Sequence, residues 1–83
     1  MNRDQIQAAV LAVITEVAPE VDGAAIVRGK ALRRQVDLDS ADWLNVLVGI
    51  QQQLGVEVSD ADAARLSTLD MLVDHVLAAR GGT

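Results

Sequence analysis

The run from Ser40 to about Leu54 constrains this chain more than any other segment. Trp43, Leu47, Ile50 and Leu54 recur at helical spacing as one apolar stripe, Leu44 and Val48 form an adjacent stripe, and Gly55 supplies a C-terminal stop. That face is wider than a simple bundle seam needs, so other segments have to cover it. Asp39 and Ser40 stand at its N-terminal boundary. The first peptide N–H groups of a helix lack intrahelical acceptors, and the macrodipole adds partial positive charge, so an anionic group esterified to Ser40 meets favourable electrostatics there. An Asp-Ser pair in this place is ordinarily a cap; attachment chemistry is the other reading the dipeptide allows.

The covering segments are also helical by pattern. Ile6, Val10, Val13, Ile14 and Val17 mark a first helix from Asp4 to Val17, with Asp4 as its expected cap and Pro19 just beyond its end. Residues 18 to 38 contain Pro19, Gly23 and Gly29 without a sustained period, and read as a long connection pinned by Ile26, Leu32, Val36 and Leu38. After Gly55 the triplet Val56-Glu57-Val58 is briefly extended, and Ser59 to Asp62 reads as a capping box opening a short helix that ends near Leu66. Ser67 and Asp70 repeat that box before a last helix, about Thr68 to Ala79, which turns Leu69, Leu72, Val73 and Val76 inward. Arg80 is favourably placed at its C-terminal end, and Gly81-Gly82 release the chain. The expected fold is therefore all-α, an antiparallel four-helix bundle with a long loop between its first two long helices and a short third helix.

Composition narrows the chemistry. The 83 residues suit one small domain with a modest core, and residues 1–83 are read as a single unit, with Met1 and the short tails favouring a freestanding protein. Hydrophobic residues make up 51% of the chain while Trp43 is its sole aromatic, so packing rests on Leu, Val, Ile and Ala, and an enclosed active site is not expected. There is no cysteine, which excludes disulfides and thiolate metal sites and fits a reducing cytoplasmic setting. The apolar run Ala8 to Ile14 is too short to span a bilayer, and Asp4 and Glu16 flank it. Net charge is −5: the first 35 residues carry five basic and four acidic side chains, the remainder two and eight. The acidic surface thus lies C-terminal, and only Lys30, Arg33 and Arg34 resemble a basic face, too little for nucleic-acid binding.

The order of helix, long loop, Asp-Ser at the second long helix, short third helix and closing helix resembles an acyl carrier protein over nearly the whole chain. The local signature of that family is an Asp-Ser pair, usually preceded by Gly-X and followed by Leu; here it stands as Asp37-Leu38-Asp39-Ser40-Ala41, with Asp39 and Ser40 matching and Asp37 and Ala41 departing. The resemblance implies that Ser40 is esterified by 4′-phosphopantetheine from coenzyme A, that Asp39 assists the metal-dependent transfer, and that the arm's thiol carries an acyl or aminoacyl group as a thioester. It implies a non-catalytic carrier acting in the cytoplasm as a monomer. Its partners would be a phosphopantetheinyl transferase, an acyl- or aminoacyl-loading ligase, and a ketosynthase or acyltransferase of fatty-acid, polyketide or related biosynthesis, with neither nucleic acid nor membrane among them.

Partner contact is expected at Ala41, Asp42, Leu44 and Val48. Family members usually present acidic residues along the second long helix, whereas this chain has Asn45 and Gln51-Gln52-Gln53 there, so steering by charge should be weaker and apolar contact should matter more. The rival reading is a small helical interaction module without a prosthetic group, docking a partner helix on the broad apolar face.

Several residues carry two readings each. The spacing of Trp43 puts it in the core or at its rim rather than on a partner-facing surface. Leu44 and Val48 fit equally the core and the mouth of a pocket for an acyl chain. His75 has the residue type for a hydrolytic triad with Ser40, but no Gly-X-Ser-X-Gly elbow surrounds the serine. Asp37, Asp39 and Asp42 lack the spacing of a calcium loop and read as solvated capping charge, with no metal expected. Lys30, Arg33 and Arg34 read first as solvated loop charge, and alternatively as neighbours of the attached phosphate or of an acidic partner, a departure from the more acidic loop usual in the family.

Overall fold

Four helical segments pack around one aliphatic core, three of them through buried stripes, because no single amphipathic helix of this length can shield its own apolar face. In the computed structural model, which describes residues 1–81, these are α1 (Arg3–Val17), α3 (Ser40–Leu54), α4 (Asp60–Arg65) and α5 (Leu69–Ala79). A one-turn helix α2 (Leu32–Gln35) and a 3₁₀ turn (Gly23–Ala25) lie in the connection between α1 and α3. No strand occurs among the described residues; an isolated antiparallel bridge joins Ala31 to Thr68. Gly82 lies outside the described residues, and Gly81 turns the chain after α5 at φ 108°.

Helix α1 is the central element, packed against both α3 and α5. Its Ile6, Val10, Val13 and Ile14 are buried with Trp43, Val46, Leu47, Ile50 and Leu54 of α3 and Leu69, Leu72, Val73 and Val76 of α5. Burial of each such side chain is worth about 1.5–3 kcal/mol relative to exposure, and no polar or charged residue among those described is buried to offset it. The α1–α3 seam closes tightly at Gly49, where an added Cβ would stand 2.7 Å from Val13 Cγ1.

Helix ends are set by local hydrogen bonds, in two places differently from expectation. Asn2, not Asp4, caps α1: its side chain accepts from the Gln5 amide at 2.9 Å while Gln5 Oε1 accepts from the Asn2 amide at 2.9 Å. This reciprocal pair satisfies the first turn, and Asp4 is left to complement the dipole. Thr68, not Ser67, caps α5 by accepting from the Met71 amide at 3.1 Å. Ser67 is drawn the other way, since its carbonyl accepts from the Leu32 amide at 2.7 Å. Helix α4 begins as expected, with Ser59 accepting from the Asp62 amide, and the Arg65 guanidinium and Ser59 hydroxyl hold the Asp62 carboxyl below its usual pKa. Gly55 ends α3 in the left-handed region at φ 69°, and Arg80 donates to the Leu54 carbonyl at 2.6 Å, so its charge serves the end of α3.

The connection from Ala18 to Leu38 is more ordered than its lack of period suggests, because its order comes from single side chains. Gln35 donates to the Val27 carbonyl at 2.8 Å and the Lys30 carbonyl at 3.1 Å, and accepts from the Val27 amide at 2.6 Å. Leu32, Val36 and Leu38 are buried and Ile26 partly so. The Asp70 amide donates to the Arg28 carbonyl at 3.1 Å, tying the connection to α5.

The Gly49 seam yields a test. Gly49→Val should destabilise the fold by about 1–3 kcal/mol, because Val13 is a stiff, fully packed neighbour that cannot move aside. Urea unfolding should show a lower midpoint at unchanged slope; wild-type stability in this variant would show that the helices separate freely.

Candidate functional site

Asp39 adopts extended backbone geometry and caps α3, its Oδ1 accepting from the Asp42 amide at 2.8 Å and its carbonyl accepting from the Trp43 amide at 2.9 Å. Capping falls to Asp39, which leaves Ser40 as the first helical residue, exposed, with no side-chain hydrogen bond to another described residue. The two readings of the Asp-Ser pair thus divide between its members.

Ser40 opens onto a cleft of about 540 Å³ between α2, α3 and α4. Its apolar wall is Trp43, Leu44 and Leu47 from α3 with Ala63, Ala64 and Leu66 from the α4 side. Arg33 and Arg34 of α2 stand on one rim, and Asp60 on another. Arg33 is oriented by the Leu38 carbonyl, two residues before the serine, which accepts from its Nε and Nη2 at 3.4 Å each.

The other candidates separate. Trp43 is 9% exposed and belongs to the core. Leu44 is 55% exposed at the cleft, whereas Val48, 41% exposed, faces a different shallow groove beside Val13, Val17 and Gly49. The adjacent stripe is therefore outside the core, and its two members look onto different surfaces. Ala41 is exposed and Asp42 half-buried beside the serine. His75 lies away from the cleft lining, with its Nε2 4.0 Å from Asp62 Oδ2, so Ser40 and His75 do not assemble into a triad. Asp37 lines a separate surface pocket with Glu20 and Asp22, and among the described residues no group of three acidic, His or Cys side chains is placed to hold a metal. No helix among them is long and apolar enough to cross a membrane.

Sequence reasoning ranked the arginines first as solvated charge and gave a place beside the attached group as the alternative; the structure sets Arg33 and Arg34 in the same cleft lining as the serine. The signal was the apolar trio Leu32, Val36 and Leu38, whose burial folds the intervening residues into one turn and brings Arg33 and Arg34 to the cleft.

The arrangement presents an exposed hydroxyl at a helix start beside a partly apolar cleft. Residues 8–76 match the family profile described as "Phosphopantetheine attachment site". The chain belongs to this phosphopantetheine-binding, acyl carrier protein family, whose members are non-catalytic carriers. It is 25% identical over 76 residues to the acyl carrier protein of Thermosynechococcus vestitus, covering 92% of this chain and 93% of that one. With the acyl carrier protein of Rubrobacter xylanophilus the identity is 25% over 80 residues, covering 93% and 94%. Acyl carrier protein 2, mitochondrial, of Arabidopsis thaliana is 22% identical over 76 residues, or 60% of its length. The fold superposes on the acyl carrier protein from Enterococcus faecalis with a TM-score of 0.77 at 19% identity, covering 95% of this chain and 99% of the other.

The residues present fit the family's prosthetic group. An exposed hydroxyl is open to esterification, and the neighbouring guanidiniums are cationic donors for a phosphodiester.

Dividing the two roles between Asp39 and Ser40 has a measurable consequence. Asp39→Ala should cost about 1 kcal/mol of stability through the lost cap, with Asp39→Ser recovering most of it. Ser40→Ala should stay within about 0.5 kcal/mol of wild type, because that hydroxyl supports nothing in the fold. Denaturant midpoints of the three variants decide; a large loss in Ser40→Ala would make the serine structural.

Proposed function

We propose that Ser40 is the attachment residue for 4′-phosphopantetheine, and that residues 1–83 act as a single carrier domain delivering acyl or aminoacyl thioesters between enzymes of fatty-acid, polyketide or related biosynthesis. The observation that carries this reading is the exposed, uncommitted Ser40 hydroxyl at the start of α3 in a chain of this family. When bound, the group supplies a flexible arm ending in a thiol that holds cargo as a thioester.

The chain's own residues do the positioning. Ser40 Oγ forms the new bond to the pantetheine-bearing phosphorus of coenzyme A as the P–O bond of its diphosphate bridge breaks and adenosine 3′,5′-bisphosphate leaves, and the hydroxyl proton passes to a base of the transferase. Asp39, exposed at the cap, assists that transfer while its Oδ1 holds the first turn in place. Trp43 and Leu47 anchor α3 to the core, so the serine is presented from a rigid element.

A phosphopantetheinyl transferase, a loading ligase, and a ketosynthase or acyltransferase meet the protein at Ala41, Asp42 and Leu44 beside the serine and at Val48 on the separate groove. We assign it to the cytoplasm as a monomer, in keeping with its cysteine-free composition.

Incubation of the apo-protein with coenzyme A and a broad-specificity phosphopantetheinyl transferase should add one arm, seen by intact mass, and Ser40→Ala should abolish the gain. A modified Ser40→Ala variant, or an unmodified wild type, would overturn the assignment.

The uncharged stretch from Asn45 to Gln53 makes a second expectation. Binding to a cognate loading enzyme should change little between about 0.1 M and 1 M salt, although the Debye length shrinks from about 10 Å to 3 Å. A steep loss of affinity in a titration series would mean that charge, not apolar contact, governs docking.

A further inference from the structure

Around Ser40 the acidic neighbours are close: Asp39 at the cap, Asp42 in the first turn and Asp60 across the cleft. A phosphodiester on the serine adds one more negative charge to that group. The only cations lining the same cleft among the described residues are Arg33 and Arg34, both on the α2 rim. Arg33 is already turned toward the start of α3, because its Nε and Nη2 donate to the Leu38 carbonyl. A guanidinium has five donors in a planar fork, so this contact leaves others for a second acceptor. Arg34 makes no side-chain hydrogen bond or ion pair with another described residue.

We propose that Arg33 and Arg34 form an anion subsite that binds the phosphodiester of the arm within the molecule. This rests on the attachment reading for Ser40 and adds to it a direction. The arm leaves the serine on the α2 side, held by charge-assisted hydrogen bonds away from Asp39 and Asp42, instead of swinging freely from the helix end. Loop charge is thereby converted into a restraint on the first bonds of the tether.

The test uses holo-protein whose single arm on Ser40 has been verified by intact mass and peptide mapping. In ³¹P NMR the wild-type diester resonance should lie away from its position in the same holo-protein unfolded in urea. Arg33→Gln with Arg34→Gln should move it toward that unfolded position, and Arg33→Lys, which keeps the charge and loses the fork, should retain part of the displacement. In ¹⁵N spectra the Arg33 Nε–H resonance should differ between the apo and holo wild type, and high salt should reduce the difference. Should the double variant not fold, Arg34→Gln alone gives the same readout, since that side chain is exposed and supports no other described contact. A ³¹P resonance indifferent to these substitutions, with arginine resonances identical in apo and holo protein, overturns the subsite and leaves the attachment standing. Failure of the arm to appear on Ser40 overturns both.

Discussion

The cleft hangs from the first turn of α3, where the Asp39 carboxylate accepts the Asp42 amide. That bond satisfies a backbone donor that would otherwise be orphaned, and it fixes where helical geometry begins. Because the aspartate takes the role, the next residue can expose its side chain at the helix's positive end without any structural duty. If Ser40 itself were the cap, its oxygen would be engaged with the backbone. The division of labour between two adjacent residues is thus what makes an accessible hydroxyl compatible with a stable helix start.

The turn is useful only because the other side of the cleft is held as well. Helix α4 buries no residue fully and ends after six residues. Its position depends on what flanks it: Val56 and Val58 in the core before it, and the Leu32–Ser67 hydrogen bond and the Ala31–Thr68 bridge after it. These contacts also seat α2, so both rims of the cleft share one anchorage. Gln35 then closes the connection upon itself through Val27 and Lys30. A segment whose apolar residues lack helical spacing is held instead by single buried side chains and satisfied backbone groups.

Charge is arranged on the same scaffold. Most of the acidic surplus of the C-terminal part lies at the start of α3, on α4 and on α5, while α3 is neutral at Asn45 in its middle and at Gln51 to Gln53 near its end. Arg33 and Arg34 come to the cleft by burial of their neighbours Leu32, Val36 and Leu38. An electrostatically mixed rim around an apolar cleft follows, unlike a uniformly acidic recognition helix. Exposed aliphatic surface, as at Leu44, therefore stands beside that mixed rim where a purely acidic one would give a stronger long-range field.

Periodicity and stop signals were enough to read α1, α3 and α5, because each buries a stripe whose spacing repeats over several turns and ends at a residue with a physical reason, such as Gly55 in the left-handed region. They also singled out Ser40 and placed Trp43 in the core. The caps of α1 and α5 were misplaced by two residues and one residue, since Asn2 and Thr68 compete with chemically similar neighbours and the winner depends on Gln5 and on Leu32 across the fold. A single turn such as Leu32 to Gln35 is too short to show a period, so α2 was invisible. The sequence by itself therefore determined the helical class, the aliphatic core and the residue displayed at the head of α3, all of which follow from local spacing. Only the tertiary structure decided that Leu44 and Val48 face different grooves and that Arg33 and Arg34 line the same cleft as Ser40, because those are relations between segments, set when the connection packs its own apolar residues into the core.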